Sequence, residues 1–170
     1  MSWVVLGLVA AAALMHAAWN ALLKGSEDPL RLSAQSLTAI TVVATPVAAV
    51  VWLAAGRAGL PAAAWGLAAA SAVAELLYFI LLSTAYREGE LSFVYPLARG
   101  TAPVLAVAIG ITILGERLRL LELVGVAFLL AGIWAVRRPS AAGKALLPAL
   151  GTGVMIAIYS ALDRVGVRLG

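Results

Sequence analysis

"SFVYPLARGTAPVLAVAIGITIL", residues 92–114, decides what kind of fold this chain can adopt. Its 23 residues carry one charge, Arg99, and two prolines, Pro96 and Pro103, in an otherwise apolar run. A water-soluble core would exclude all three, and a plain membrane anchor has no need of them. The length suits a bilayer crossing, since roughly 20 mainly apolar residues span about 30 Å of hydrocarbon.

Working outward, four more such stretches lie at about 3–23, 33–55, 62–85 and 120–136, and a sixth begins near 145. The breaks between them are short and hold most of the charges: "KGSEDPLR", "GRAGLP", "YREGE", "GERLR" and "RRPSAAGK". Short polar breaks between long apolar runs predict antiparallel neighbours in an all-α, polytopic membrane bundle. The whole chain agrees: 64% of its 170 residues are hydrophobic and 12% charged, with mean hydropathy +1.03. Soluble domains average about 45–50% apolar and about 25% charged.

The same composition excludes several functions. There is no cysteine and one histidine, His16, so neither a thiolate nor a histidine metal cluster is available, and no cofactor is expected. The net charge of +4 is scattered between apolar runs rather than gathered into a basic stripe, so nucleic acid is not a partner. No H-E-x-x-H or G-x-S-x-G pattern occurs, which argues against an intramembrane enzyme. The first run resembles a signal-peptide core, but no Lys or Arg precedes it and it continues past Trp19, so a retained helix is expected. Basic residues do not orient the bundle: Arg57, Arg117, Arg119, Arg164 and Arg168 fall on the N-terminal side, against Lys24, Arg31, Arg87, Arg137, Arg138 and Lys144.

"MHAAWNALLKG" (15–25) aligns with "MIAIYSALDRV" (155–165): Trp19 meets Tyr159, Asn20 meets Ser160 and Lys24 meets Arg164. If the sixth helix restarts the pattern of the first, the repeat is five helices long. An odd number of crossings inverts the second copy, a construction common in secondary transporters. The organisation expected is a first repeat over 1–137, a linker over 138–144, and the first helix of a truncated second repeat over 145–170. A complete small protein whose sixth helix merely resembles its first is the alternative.

"HAAWNALLK" resembles the opening helix of EamA-type members of the drug/metabolite transporter superfamily. The segment 85–136, with Pro96, Pro103, Gly115-Glu116-Arg117 and the pair Gly125 and Gly132, resembles that family's repeat-ending segment. The resemblance implies ten helices in two inverted repeats, and efflux or exchange of small metabolites or drugs across the cell (plasma) membrane. The chain ends at Gly170, short of that plan.

Depth selects the candidate site. Arg99 lies about eight residues into its helix, roughly 12 Å, and Glu75 about ten residues before the end of helix 3, roughly 15 Å. A hairpin of helices 3 and 4 would set the two charges at one level, as partners or in a shared polar cavity. A lone charge at a helix centre costs about 2.5–3.5 kcal/mol on insertion scales, so such residues pair or line a pathway. An ion pair that merely locks two helices is the plainer reading. Tyr95 shares a face with Arg99 and Tyr78 with Glu75, while His16 and Asn20 are one turn apart with Trp19 beside them. Glu75 is the candidate carrier of a coupling proton. Pro103 withholds a donor from the carbonyl near residue 99. Ala98, Ala102, Ala106 and Gly110 form a small-residue stripe suited to close packing. The function expected is secondary transport of a small organic solute. A non-transporting fragment or assembly partner, and a short exporter working as a homodimer, are the competing expectations.

Overall fold

The computed structural model describes residues 3–55, 59–113, 115, 117, 119–136 and 143–169. Those residues form six helices: α1 (Trp3–Gly25), α2 (Pro29–Ala54), α3 (Ala62–Glu88), α4 (Leu91–Thr112), α5 (Leu120–Val136) and α6 (Leu146–Gly166). Five of them, 21 to 27 residues long, are long and apolar enough to cross a membrane. The described part of α5 is 17 residues, roughly 25 Å at 1.5 Å per residue. Glu116, most of the 138–144 linker, and Arg57, Arg137 and Arg138 of the charge tally lie outside the described residues.

Local chemistry explains where the helices begin. Asp28 caps α2, its carboxylate accepting from the Leu30 and Arg31 amides at 3.1 and 3.2 Å, and Pro29 fills the first helical position. Proline costs nothing there because that amide has no helical partner. The cap starts α2 four residues ahead of the expected 33, inside the charged break. At the head of α5, Glu122 reaches back to accept from the Arg119 amide at 2.8 Å, one half of a capping box. Gly115 turns the chain between α4 and α5 with φ +67°, a left-handed conformation that favours glycine.

The packing departs from a chain of hairpins. The most extensive contacts join α6 to α3 and to α4, whereas α3 and α4 barely touch one another. Helix α6 is wedged between them, and its glycines make that possible. A Cβ on Gly151 would stand 3.1 Å from the Leu81 side chain of α3. A Cβ on Gly153 would stand 2.6 Å from the Thr101 Cβ and 2.8 Å from the Ala98 carbonyl oxygen of α4. The core follows this wedge: Tyr78, Leu82 and Tyr86 of α3, Val94 and Ala102 of α4, and Ala149 and Ile156 of α6. Helix α2 packs on α3, α5 on α4, and α1 lightly on α2 and α3.

Outside the wedge, apolar side chains face outward: Leu6 and Leu14 of α1, Val42 and Val50 of α2, Leu121 and Phe128 of α5. In water so much apolar surface would drive aggregation. Around a helical bundle in lipid it is the expected surface, because the backbone satisfies itself within each helix. The chain is a multi-pass membrane protein.

Candidate functional site

Three helices bring polar groups together around Arg99. From α4, the Arg99 guanidinium donates to His16 Nε2 of α1 and lies 5.8 Å from the centroid of the Tyr95 ring one turn away. That separation is within reach of a cation–π attraction. The His16 and Tyr95 rings are 6.4 Å apart, tilted at 45°. From α1, the Asn20 amide nitrogen donates to the His16 carbonyl at 2.8 Å and sits 3.1 Å from His16 Nε2. From α3, the Tyr86 hydroxyl donates to Asn20 Oδ1 at 2.7 Å, and Lys24 Nζ donates to the Tyr86 carbonyl at 2.9 Å. Asn20 and Tyr86 are 2% and 1% exposed, so these bonds are shielded from solvent. A buried polar group left unbonded costs about 1–3 kcal/mol, and here Asn20 spends both donors and its acceptor.

Two hollows flank this cluster, and Tyr95 lines both. One, about 500 Å³, separates α1 from the start of α4 and is bordered by Ala17, Asn20, Glu90 and Ser92. The other, about 510 Å³, lies between α4, α5 and α6. Its wall combines Arg99, Tyr95 and Ser160 with Leu129, Ile156 and Ala157. One cation, a phenol and a hydroxyl thus face an otherwise apolar cavity of small-ligand size. Pro103 and Ala106 complete its α4 side. Pro103 supplies no N–H to the Arg99 carbonyl, although α4 runs on through both prolines.

Not all the candidate residues gather here. No ion pair joins Glu75 to Arg99, and among the described residues none of the acids pairs with Arg99. Glu75 is exposed on α3, and the charge that acts on it is that of Asp163 on α6. Asp163 in turn accepts from the buried Ser71 hydroxyl of α3 at 2.5 Å. Tyr78, 7% exposed, belongs to the core, its ring edge-on to Phe79 and Tyr159 at 4.8 and 6.1 Å. Trp19 is half-buried against the same core. Pro96 is buried, as are Ala98, Ala102 and Gly110 of the stripe, while Ala106 is exposed to the cavity. Gly125 and Gly132 of α5 face open space.

The structure adds Tyr86, Tyr159, Ser71, Asp163 and Ser160, none of which the sequence singled out for the site. Arg99's charge reaches Tyr78, Tyr86 and Tyr159 as well as Tyr95, whose ring is the one it approaches closely. The stripe that places Tyr86 was readable: Ser71, Ala74, Tyr78, Leu82 and Ala85 recur at three- and four-residue steps and are all buried. Compared with known proteins, residues 1–138 match the family model of EamA-like transporters. No curated protein and no solved structure matches the chain.

Proposed function

Because the chain belongs to the EamA-like transporter family, we propose that it carries a small organic anion across the membrane, with Arg99 holding the anionic group. The family is one of membrane transporters, and secondary transport needs binding and alternating exposure but no covalent chemistry. The observation that carries the proposal is the state of Arg99. It faces an apolar hollow of about 510 Å³, its hydrogen-bond partner is a histidine rather than a carboxylate, and no acid among the described residues neutralises it. A cation kept uncompensated at membrane depth is costly, and a cargo anion would supply the missing charge. Ser160 and Tyr95 would orient the anion, and the apolar wall of Leu129, Ile156 and Ala157 would take its body.

The match over residues 1–138 ends beside the expected close of the five-helix unit, which supports reading α6 as the start of a second, inverted unit. Location in the plasma membrane, efflux or exchange as the mode, and a proton as coupling ion belong to the same proposal. Transport of radiolabelled benzoate into proteoliposomes tests it: the wild type accumulates or exchanges benzoate and Arg99→Leu does not. Equal transport by both would overturn the role given to Arg99.

Assembly with another bundle, a second copy or a partner, is the second reading, and α5 favours it. Gly125 and Gly132 lie seven residues apart on one face with nothing near either. Small residues so spaced permit close approach of a helix in a membrane. Cysteine cross-linking from position 128 in native membranes would detect a homodimer; a strictly monomeric product would count against one.

A further inference from the structure

The chain's single histidine is tied into the anion site by bonds whose directions can all be assigned. A guanidinium only donates, so the His16 Nε2 that meets Arg99 must accept and carries no proton. The Asn20 amide nitrogen, one hydrogen on the His16 carbonyl, aims its other at the same Nε2. Asn20 is held in this orientation because Tyr86 donates to its Oδ1. Tyr86 is itself anchored by Lys24 on its carbonyl. With Arg99 in place, the imidazole is therefore neutral, its proton on Nδ1.

From this geometry we infer that His16 is the proton carrier: an anion that engages Arg99 draws the guanidinium off Nε2, and His16 takes up a proton from water in its place. The inference rests on the reading of Arg99 as the anion site. Nε2 loses a donor that blocked its lone pair, loses direct contact with a cation, and gains a nearby anion; each change favours a proton there. The new Nε2–H bond can then donate to the bound anion. The groups that face the imidazole are Arg99 and Tyr95 from α4 and, through Asn20, Tyr86 from α3. The only titratable residue of α2 is Arg31, in its first turn, and among the described residues Arg99 is the charged group bonded to His16.

The charges balance. The empty site holds one positive charge, on Arg99; the loaded site holds Arg99, imidazolium and anion, again one positive in sum. The cargo crosses as anion plus proton, neutral overall, which spares the membrane step the cost of moving net charge. The hollow between α1 and α4 is bordered by Asn20 and Tyr95, both neighbours of His16, whereas the anion's hollow lies between α4, α5 and α6. This assigns the coupling proton to His16 rather than Glu75, whose neighbour in charge is Asp163.

The single histidine makes the test direct, because one imidazole gives one set of signals. Wild-type protein labelled with 15N-histidine in lipid nanodiscs is titrated with benzoate at constant pH, with benzoate binding followed in parallel by calorimetry. Benzoate should move His16 from the neutral, Nδ1-protonated form to imidazolium. Binding without that change overturns the inference and leaves the anion site standing; no Arg99-dependent benzoate binding overturns both. In proteoliposomes the ratio of protons to benzoate moved should be near one for the wild type and near zero for His16→Gln. Because a ratio is read, a variant slower overall still answers, and an unchanged ratio would overturn the assignment.

Discussion

Arg99 and Glu75 sit at similar expected depths on consecutive helices, yet the bundle treats them in opposite ways. Arg99 is drawn inward, bonded to His16 across the gap to α1 and set 5.8 Å from the centroid of the Tyr95 ring. Glu75 is left on an exposed face of α3, with a second carboxylate, Asp163, for its charged neighbour. The cause is α6, which enters between α3 and α4 and removes the hairpin contact that would have paired the two. A position along a helix therefore fixes how deep a charge lies, while the helix packed against it fixes its chemistry.

The largest effect expected from this contrast is in binding. A hydrogen bond to a charged group is worth about 1.5–3 kcal/mol, so Arg99→Leu should weaken benzoate binding by about 10- to 100-fold. Glu75→Gln should change it by less than about threefold, within the small range of substitutions away from a buried network. Calorimetry on the two variants in nanodiscs checks both, and equal losses would erase the distinction between the two charges.

Next in size is the wedge itself. Gly153→Ala would drive a methyl group to 2.6 Å from Thr101 Cβ and 2.8 Å from a backbone oxygen. Overpacking of this kind costs about 1–3 kcal/mol, and here it pushes α6 off α4. Gly125→Ala, with open space around it, should be neutral or gain up to about 1 kcal/mol of helix propensity. Reversible unfolding in mixed micelles separates the two; a harmless Gly153→Ala would mean that α6 does not sit so close to α4.

Tyr86→Phe probes the cluster from its far end, with an effect on stability of the same order. It removes the donor to Asn20 Oδ1 while keeping the ring in the core, at a cost of about 1–3 kcal/mol for a buried acceptor left unbonded. Asn20 is then free to rotate its amide, so the His16 signals should shift without any added anion, while the Nδ1-protonated tautomer that Arg99 imposes is kept. Unshifted His16 signals would detach Tyr86 from the site.

Much of this was legible in the sequence, and what was not has definite causes. Long apolar runs and charged breaks located all six helices, the i to i+4 spacing joined His16 to Asn20 and Tyr95 to Arg99, and the alanine stripe on α4 announced close packing. Periodicity describes one helix's face and is silent about what lies across it, so α3 and α4 were expected to be neighbours by adjacency in the chain. The Gly151 and Gly153 pair was the available sign that α6 would approach two helices at once. Tyr86 was missed because α3 was expected to end at 85, with "YREGE" read as a break; the helix continues to Glu88 and carries the buried stripe one turn further. Asp28-Pro29, a capping pair, was likewise passed over inside a charged run.

The smallest effect is also the sharpest on the opening contrast. If Glu75 and Arg99 were partners, removing one would leave the other unpaired, and Glu75→Gln with Arg99→Leu together would cost less than the sum of the two alone. The structure bonds Arg99 to His16 and shows no contact between Arg99 and Glu75, so their effects on unfolding should add to within about 0.5 kcal/mol, as for residues that do not touch. The matching cycle of Arg99→Leu with His16→Gln should fail to add, because those two side chains touch. Additivity in the first cycle and its failure in the second would locate Arg99's partner on α1. A coupling in the Glu75 cycle larger than in the His16 cycle would instead restore the hairpin pair and require α6 to lie elsewhere.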